Sequence, residues 1–424
     1  MAAAMVAALL VALGSAAPAR ANTSTLNQVT SFGSNPGALQ MYDYVPTTTT
    51  AASAPLVVAL HGCTQQASDY YNDSGWPKYA DQWGFDLVFP QQTSSNNAEE
   101  CFDFFTPSDD SRGDGEAASI IQMVQYMEAH YSINPSRVYV TGLSAGGGMT
   151  ADLLADYPDV FASGSIDSGL PAQCATSETG AFTCMDGSVS NSVAQWAALA
   201  KNSDPGYSGS WPTVQIWQGT ADYTVSTANS TELMDQWTGV WGISQTASST
   251  ASLTGGTSES IYDNAAGSPV VETFAISGMG HGLAVNPGSA TDQCGATGAY
   301  FLSYICSTYY AATFWGLQNG STASATASAS ASPSTSPTHS ASPSASPSAS
   351  HTPTASASPS STYTPQCFTA SNYAQTQAGR AYQSGGYTYA NGSNDNMGLW
   401  NTFVTTTLEE TSSGYYVLIT GSCP

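Results

Sequence analysis

Residues 137–143 read Arg137-Val138-Tyr139-Val140-Thr141-Gly142-Leu143, and Ser144-Ala145-Gly146-Gly147-Gly148 follows directly. The apolar run has the composition of a buried strand, and the small residues permit a tight turn into a helix that we predict to end near Asp156. A G-x-S-x-G turn in this position lifts a serine hydroxyl above a sheet, near the positive end of the helix. We therefore predict that Ser144 is a nucleophile rather than a simple helix cap.

The segments around this turn alternate between apolar runs and helical patterns. Apolar residues recur at helical spacing from Ala117 to Tyr131. Short apolar runs predict further strands at Pro55–Leu60, Phe85–Phe89, Val214–Trp217 and Thr273–Ile276. Strands separated by helices indicate an α/β class with a parallel sheet covered on both faces, in which the chemistry lies at the carboxyl ends of the strands.

A serine nucleophile needs a general base, and the chain has five histidines, His61, His130, His281, His339 and His351. The last two lie in a stretch of low complexity that cannot hold a side chain in place, and His130 is interpreted as a surface residue at a helix end. His281 lies in a glycine-rich loop after the last predicted strand. By elimination, His281 is the predicted base.

Asp222 is the predicted partner that orients His281. It follows the strand that ends at Trp217, and it lies between the serine and the histidine in chain order. Its rivals in the same interval are Asp167, Asp186, Asp204, Asp235 and Asp263. None of these has an equally suitable position after a strand.

Backbone N–H groups should stabilise the oxyanion of an acyl-transfer reaction. We assign one to Ala145, the residue after the serine, and the other to Cys63, in the loop after the early core strand. His61 is expected to support this loop rather than transfer a proton. Together these residues predict a serine hydrolase that acts on an ester.

Composition excludes several classes of partner. The 424 residues include 6 Lys and Arg against 30 Asp and Glu, which gives a formal net charge of −24. So few cations cannot neutralise many phosphates, which excludes nucleic acid and makes an anionic membrane surface a poor partner. Charged residues are only 8% and aromatic residues 11%, which favours an uncharged polymer as the partner.

Two stretches of unusual composition predict the domain organisation. Met1–Leu13 is apolar and is followed by Ala19-Arg20-Ala21, which predicts a secretory signal peptide over 1–21 and an extracellular mature protein. The apolar run is too short for a membrane anchor. Residues 320–364 are mostly Ser, Ala, Thr and Pro, a composition typical of a disordered, extended linker. It separates a body over 22–319 from a tail over 365–424.

The eight cysteines of an exported chain indicate disulfides rather than a metal site, because no C-x-x-C pair occurs. Eight cysteines allow 105 connectivities. Our prediction is nearest-neighbour pairing: Cys63–Cys101, Cys174–Cys184, Cys294–Cys306 and Cys367–Cys423.

Several motifs together resemble the catalytic domain of extracellular poly(3-hydroxybutyrate) depolymerases: His61-Gly62-Cys63-Thr64-Gln65-Gln66, the Gly142–Gly148 turn, Ser168-Gly169-Leu170-Pro171, Gly219–Val225 and Gly280-His281-Gly282. The resemblance implies an α/β-hydrolase fold and a serine esterase that cleaves such polyesters to oligomers and hydroxyacid monomers. It implies no metal or organic cofactor, and we expect a monomer. The tail resembles the short substrate-binding domain of the same enzymes.

The tail is expected to be a small, β-rich, disulfide-closed domain that binds an insoluble polyester surface. Aromatic rings with polar tips can lie on an apolar polyester and still hydrogen-bond its carbonyls. The candidate contacts are Tyr382, Tyr387, Tyr389, Leu399 and Trp400. Alternatively, most of these rings form the core of the domain.

Two other functions fit the same sequence. The body motifs are shared with feruloyl and acetylxylan esterases, so the chain could be such an esterase with a carbohydrate-binding tail. It could also be a surface-binding protein with a hydrolase body that has lost activity. The intact set of Ser144, Asp222 and His281 argues against the second alternative.

Overall fold

The computed structural model describes residues 23–47, 53–318, 365–384, 387–399 and 404–419. The predicted signal peptide, the predicted linker, Trp400 and Cys423 lie outside the described residues. The chain divides into two compact units, residues 1–325 and 326–424. Each unit is described by itself.

The first unit is built on a sheet of ten strands. They are β1 (Thr23–Val29), β2 (Gln40–Val45), β3 (Ala54–Leu60), β4 (Asp86–Gln91), β5 (Ile133–Leu143), β6 (Ser163–Asp167), β7 (Thr213–Gly219), β8 (Ser249–Leu253), β9 (Thr257–Asp263) and β10 (Pro269–Ile276). Their order across the sheet is β1-β2-β4-β3-β5-β6-β7-β10-β9-β8. Two short strands, β11 (Leu283–Val285) and β12 (Phe301–Ser303), pair with each other.

Helices cover both faces of this sheet. They are α1 (Ala67–Asp73), α2 (Trp76–Trp83), α3 (Gly115–His130), α4 (Ala145–Asp156), α5 (Glu178–Met185), α6 (Val193–Ser203), α7 (Ala228–Trp241) and α8 (Ser307–Phe314). Side chains of α1, α2 and α8 share one buried apolar cluster with Val57 and Tyr139 of the sheet. On the opposite face α4 lies close to the sheet, because Gly164 leaves room for Leu154.

The sheet is parallel in its centre, where all of the predicted strands lie, and antiparallel at its two edges. Strands β4, β3, β5, β6, β7 and β10 run parallel. The pairs β1–β2, β2–β4, β10–β9 and β9–β8 are antiparallel. The outer strands were missed because they lack the continuous apolar run of a strand buried on both faces. Strand β8, for example, is mostly exposed and rich in Ser and Ala.

The second unit is small and β-rich, as predicted. Its elements are β13 (Gln366–Ser371), α9 (Asn372–Gln377), β14 (Ala381–Ser384), β15 (Tyr387–Ala390), β16 (Asn396–Leu399), β17 (Thr405–Ser412) and β18 (Tyr415–Ile419). They form two antiparallel sheets of three strands, β13-β17-β18 and β14-β15-β16. Ala381, Ala390, Met397 and Leu408 form the core of this unit.

Across the described ranges, none of the helices has the length and apolar character needed to cross a membrane.

Candidate active site

Ser144 occupies the predicted turn between β5 and α4. Its backbone has φ 60° and ψ −118°, a left-handed conformation that is costly for a side chain other than glycine and is found at strained functional turns. The Ser144 N–H donates to the Asp167 carbonyl of β6 at 3.0 Å. The turn also needs Gly146, because a Cβ there would lie 2.4 Å from the His61 carbonyl oxygen. Close backbone packing on both sides of the turn therefore keeps Ser144 in this strained conformation.

His281 and Asp222 form a buried pair at the same edge of the sheet. His281 Nδ1 lies 2.8 Å from Asp222 Oδ2, and their side chains are 7% and 0% exposed. Asp222 Oδ1 accepts the N–H groups of Thr224 and Val225, each at 2.9 Å, and Oδ2 also accepts Gln218 Nε2 at 2.9 Å. Because the carboxylate can only accept, Nδ1 carries the proton and Nε2 is left as the basic nitrogen.

The serine and the histidine follow strands of the same parallel set. Ser144 follows β5, Asp222 follows β7 and His281 follows β10, so all three lie beyond carboxyl ends of the sheet. Between them, Ser168 Oγ donates to the Gly282 carbonyl at 3.3 Å. Within the described ranges, Ser144 Oγ makes no hydrogen bond to His281. Such bonds are often long in free enzymes and shorten when substrate binds.

The loop after β3 lies beside the serine. A Cβ on Gly62 would be 3.4 Å from Ser144 Cβ. The Gly62 N–H donates to Gln65 Oε1 at 2.8 Å, and the Thr64 N–H donates to the Glu99 carbonyl at 2.6 Å. Among the residues that the structure describes, the Cys63 N–H has no acceptor. This free donor is the one that the sequence assigns to the oxyanion hole, and Ala145 supplies the first N–H of α4, which no helical carbonyl can accept.

His61 is a fully buried, neutral residue that fixes this loop. Its Nε2 accepts the Gln92 N–H at 3.1 Å, so Nδ1 carries the proton and donates to the Gly62 carbonyl at 2.7 Å. Burial lowers the pKa of His61 to about 4. Both ring nitrogens are already used, which suits the predicted supporting role.

Sequence reasoning missed the residues behind the loop. Gln92 is fully buried, and its Nε2 donates to the Cys101 carbonyl at 3.0 Å and to the Glu116 carboxylate. The other Glu116 oxygen accepts the Asp103 N–H at 2.9 Å. Burial raises the pKa of Glu116. One sequence feature could have identified Gln92. It is a polar residue just past the carboxyl end of β4, the strand next to the first core strand.

The structure joins Cys63 to Cys101, Cys174 to Cys184 and Cys294 to Cys306, which are three of the nearest-neighbour pairs. Cys367 is also a disulfide cysteine, and its predicted partner lies outside the described residues. No group of three or more His, Cys, Asp or Glu side chains in the described part of the chain could hold a metal ion.

The predicted polymer contacts of the second unit have different environments. Tyr382 and Tyr387 are 41% and 43% exposed, and Tyr389 is half-buried. Leu399 is the last residue of β16. Its side chain and the whole of Trp400 lie outside the described part of the chain.

A strained serine before a helix, with a histidine–aspartate pair at the same edge of a mostly parallel sheet, is the arrangement of the α/β-hydrolase serine esterases. Residues 39–262 match the model of the family described as Esterase PHB depolymerase. The chain belongs to this family.

Named relatives agree with this assignment. The chain is 50% identical to poly(3-hydroxyalkanoate) depolymerase C of Paucimonas lemoignei, over 69% of this chain and 70% of the relative. It is 33% identical to poly(3-hydroxybutyrate) depolymerase of Ralstonia pickettii, over 92% of this chain and 91% of the relative. The solved acetyl xylan esterase from Aspergillus awamori is similar with a TM-score of 0.56 and 33% identity, over 61% of this chain and 94% of that one.

Proposed function

We propose that the chain is a secreted serine esterase that hydrolyses poly(3-hydroxybutyrate)-type polyesters to oligomers and hydroxyacid monomers. The observation that carries the proposal is that one chain combines an esterase site with a separate unit whose exposed face is rich in tyrosine. The likeness to the Ralstonia pickettii depolymerase spans 92% of the chain, and so extends past the body. Three disulfides in the body fit an oxidising, extracellular compartment.

The first half of the reaction acylates the serine. Ser144 Oγ attacks the carbonyl carbon of a backbone ester while His281 Nε2 takes the hydroxyl proton. Asp222 holds the Nδ1–H and stabilises the imidazolium that forms. The N–H groups of Cys63 and Ala145 donate to the oxyanion of the tetrahedral intermediate. Collapse of this intermediate completes the acylation: the ester C–O bond breaks, and His281 gives its proton to the departing alkoxide, which leaves as the hydroxyl end of one chain fragment.

The second half releases the acyl group. Water then attacks the acyl-enzyme with His281 as the base, and a second tetrahedral intermediate collapses to the carboxylic acid and free Ser144. None of these steps uses a metal or an organic cofactor.

The tail supplies a polymer-binding face. Tyr382 of β14 pairs with Tyr389 of β15, and Tyr387 lies two residues before Tyr389, so these three tyrosines share one face of the sheet. The rings of Tyr382 and Tyr389 stack, with centroids 5.6 Å apart. The opposite face carries Ala381, Thr388 and Ala390, which are buried. A neutral tyrosine face suits adsorption to a polyester, which offers apolar carbon and carbonyl acceptors.

The division of labour follows from this arrangement. Residues 22–319 act as the catalytic domain, 320–364 as the linker and 365–424 as the polymer-binding domain, after removal of the signal peptide 1–21. Tethering keeps the active site near the surface and raises the effective concentration of ester. Because a single chain carries both functions, neither requires a second subunit, and we propose a monomer.

An acetylxylan or feruloyl esterase is the second candidate. The similarity of the body to a solved acetyl xylan esterase favours it, and a tyrosine face can also stack on sugar rings. The polyester proposal is supported better, because the relative with 50% identity is named as a polyhydroxyalkanoate depolymerase.

The test compares three proteins on solid and soluble substrates. We expect the wild type to clear poly(3-hydroxybutyrate) granules and to release little acetate or ferulate from xylan. Ser144→Ala should abolish clearing while its adsorption to granules stays unchanged, and removal of residues 321–424 should spare short soluble esters but reduce clearing. Preferential attack on xylan by the wild type would favour the second candidate, and loss of adsorption in Ser144→Ala would contradict the division into two functional units.

A further inference from the structure

We infer that Ser168 is a positioning residue, which holds the loop of the proposed base His281 against the turn of the proposed nucleophile Ser144. Ser168 is the middle residue of the segment 167–169, which begins at the last residue of β6. This inference rests on the proposed function, because it adds a residue to the reaction assigned to Ser144 and His281. Ser168 is fully buried, so it acts through its neighbours and not on the substrate.

The segment 167–169 contacts the nucleophile turn at two points. The Asp167 carbonyl accepts the Ser144 N–H at 3.0 Å. Gly169 packs on Gly147 in the first turn of α4, where a Cβ added to either glycine would lie 2.9 Å from a backbone atom of the other. Both contacts are between backbone atoms in a close-packed interior, so the turn and the segment move together.

Ser168 also contacts the elements that carry the other two members of the proposed triad. Its N–H donates at 2.8 Å to the Trp217 carbonyl of β7, the strand that leads to Asp222. Its Oγ donates at 3.3 Å to the carbonyl of Gly282, the residue directly after His281. In the described part of the chain no backbone N–H donates to this buried carbonyl. The serine hydroxyl is therefore the donor that satisfies it.

The backbone of Ser168 indicates that its side chain is used. Its φ is 45°, a left-handed conformation that favours glycine and is costly for other residues. Glycine at this position would relieve the strain, yet the glycine of the segment is the next residue, Gly169. Strained residues other than glycine persist where the surrounding structure fixes them, and they cluster at functional sites. The strain thus agrees with a hydroxyl that is needed where it lies.

Loss of the hydroxyl would loosen the base from the nucleophile without breaking the pair that orients the base. His281 Nδ1 would keep its 2.8 Å contact with Asp222 Oδ2, because Asp222 is fixed by other donors. The unpaired Gly282 carbonyl would let the loop move relative to Ser144. Proton transfer from Oγ to Nε2 depends on the separation of these two atoms. The rate should therefore fall while substrate binding changes little.

The experiment uses the full chain with two variants of Ser168. Ser168→Ala removes the hydroxyl, and Ser168→Gly removes it and also relieves the backbone strain. Ser163→Ala is the matched control, because Ser163 is also buried, lies at the other end of β6 and donates to the Thr213 carbonyl at 2.7 Å. We would measure kcat and KM on a short soluble ester and the rate at which an organophosphonate labels Ser144. Thermal unfolding checks that each variant is folded.

We expect kcat of both Ser168 variants to fall between about tenfold and a hundredfold with KM little changed, the loss that a displacement of up to about 1 Å gives. The rate of labelling should fall in parallel, because the same proton transfer activates Ser144 in that reaction. Ser163→Ala should lose stability but keep the kcat and the labelling rate of the wild type.

A wild-type kcat in Ser168→Ala would overturn the inference. Recovery of kcat in Ser168→Gly would also overturn it, since the backbone conformation and not the hydroxyl would then matter. An equal loss of kcat in Ser163→Ala would do the same, because it would show a general effect of stability. Full activity of Ser144→Ala on the same ester would instead refute the proposed function, and the inference with it.

Discussion

Asp222 shows how one residue can be fixed by its hydrogen bonds before the reaction begins. Its carboxylate accepts from two backbone N–H groups, from Gln218 and from His281. Every donor is in place in the folded chain, so no reorganisation is needed when the imidazole becomes charged. The aspartate therefore sets both the tautomer and the orientation of His281, the proposed base.

Exchanging this carboxylate for an amide tests that view. In Asp222→Asn, the amide NH2 group would face Gln218 Nε2 and His281 Nδ1, so two donors would oppose it and the imidazole would take the wrong tautomer. We expect kcat to fall by about 10⁴, the loss seen when the aspartate of a triad is replaced in this way. Steady-state kinetics on a short soluble ester is the measurement.

A second substitution separates stability from catalysis. Adding Gln218→Glu to Asp222→Asn supplies an acceptor for the new amide, so the midpoint of thermal unfolding should recover. The activity should stay low, because Nδ1 of His281 still faces a donor. Recovery of kcat in the double variant would mean that Asp222 acts only through local stability.

At the scale of elements, the loop after β3 is positioned by β4 and α3. Gln92 stands just past β4 and binds both the ring of His61 and the carbonyl of Cys101. Cys101 is in turn joined to Cys63 by a disulfide, and Glu116 of α3 holds the Gln92 amide. Thus two routes, one covalent and one polar, connect the proposed oxyanion donor to the scaffold.

Glu116→Gln should loosen this support without removing any group that touches substrate. Glu116 accepts at both oxygens, so a glutamine must point its NH2 group at a donor, either Gln92 Nε2 or the Asp103 N–H. We expect kcat on a soluble ester to fall about tenfold with KM little changed, because the oxyanion donor is displaced rather than lost. Affinity for a boronate that mimics the tetrahedral intermediate should fall by the same factor.

A matched control comes from the same sheet. Glu272 is 7% exposed and accepts Gln215 Nε2 at 2.6 Å, so it is also a buried carboxylate bound to a glutamine. Glu272→Gln should change stability but leave kcat and boronate affinity as in the wild type. Equal kinetic losses in both variants would show that Glu116 has only a general structural role.

At the scale of the whole molecule, buried carboxyl groups make stability depend on pH. Burial raises the pKa of Asp156 to about 8 and the pKa values of Asp167 and Glu272 to about 7. The folded chain favours the protonated forms of these three carboxyl groups. Their contribution to the free energy of unfolding is therefore greatest below the ordinary carboxyl pKa. It is lost as the pH rises from that ordinary value up through the folded pKa values. His61 has the opposite effect, because its lowered pKa costs stability as the pH falls from 6.5 towards about 4.

Asp156→Asn should reduce this dependence. The charged groups that act on Asp156 are Asp110, Asp152, Asp204 and Arg112, and Ser203 also acts on it through a side-chain hydrogen bond. An amide cannot titrate, so the fall in unfolding free energy between about pH 5 and 7 should become shallower by about 1.4 kcal/mol per pH unit. Denaturant unfolding at several pH values measures it. Asp292→Asn, at an exposed position, should keep the wild-type slope, and an unchanged slope in Asp156→Asn would contradict the assignment.

Five of the six central strands were predictable because each is a short apolar run that must be buried on both faces. The sixth, β6, is fully buried but reads Ser-Gly-Ser-Ile-Asp, which carries no such signal. Strand β3, predicted at Pro55–Leu60, runs from Ala54 to Leu60 with every residue buried. The antiparallel strands at the two edges of the sheet were not predictable in this way. Their side chains alternate or are exposed, so their pairing depends on neighbours that are distant in the sequence.

Some residues of the candidate site were predictable from the sequence, and others were found only in the fold. Local chemistry determined the Ser144 turn, since only small residues can follow a strand so closely and begin a helix. Chain order and elimination selected His281 and Asp222. The support given by Gln92, Gln218 and Glu116 was decided only by the tertiary structure, because these residues are ordinary polar side chains until the fold buries them. A buried polar group must find a partner, and the sequence does not say which groups will be buried together.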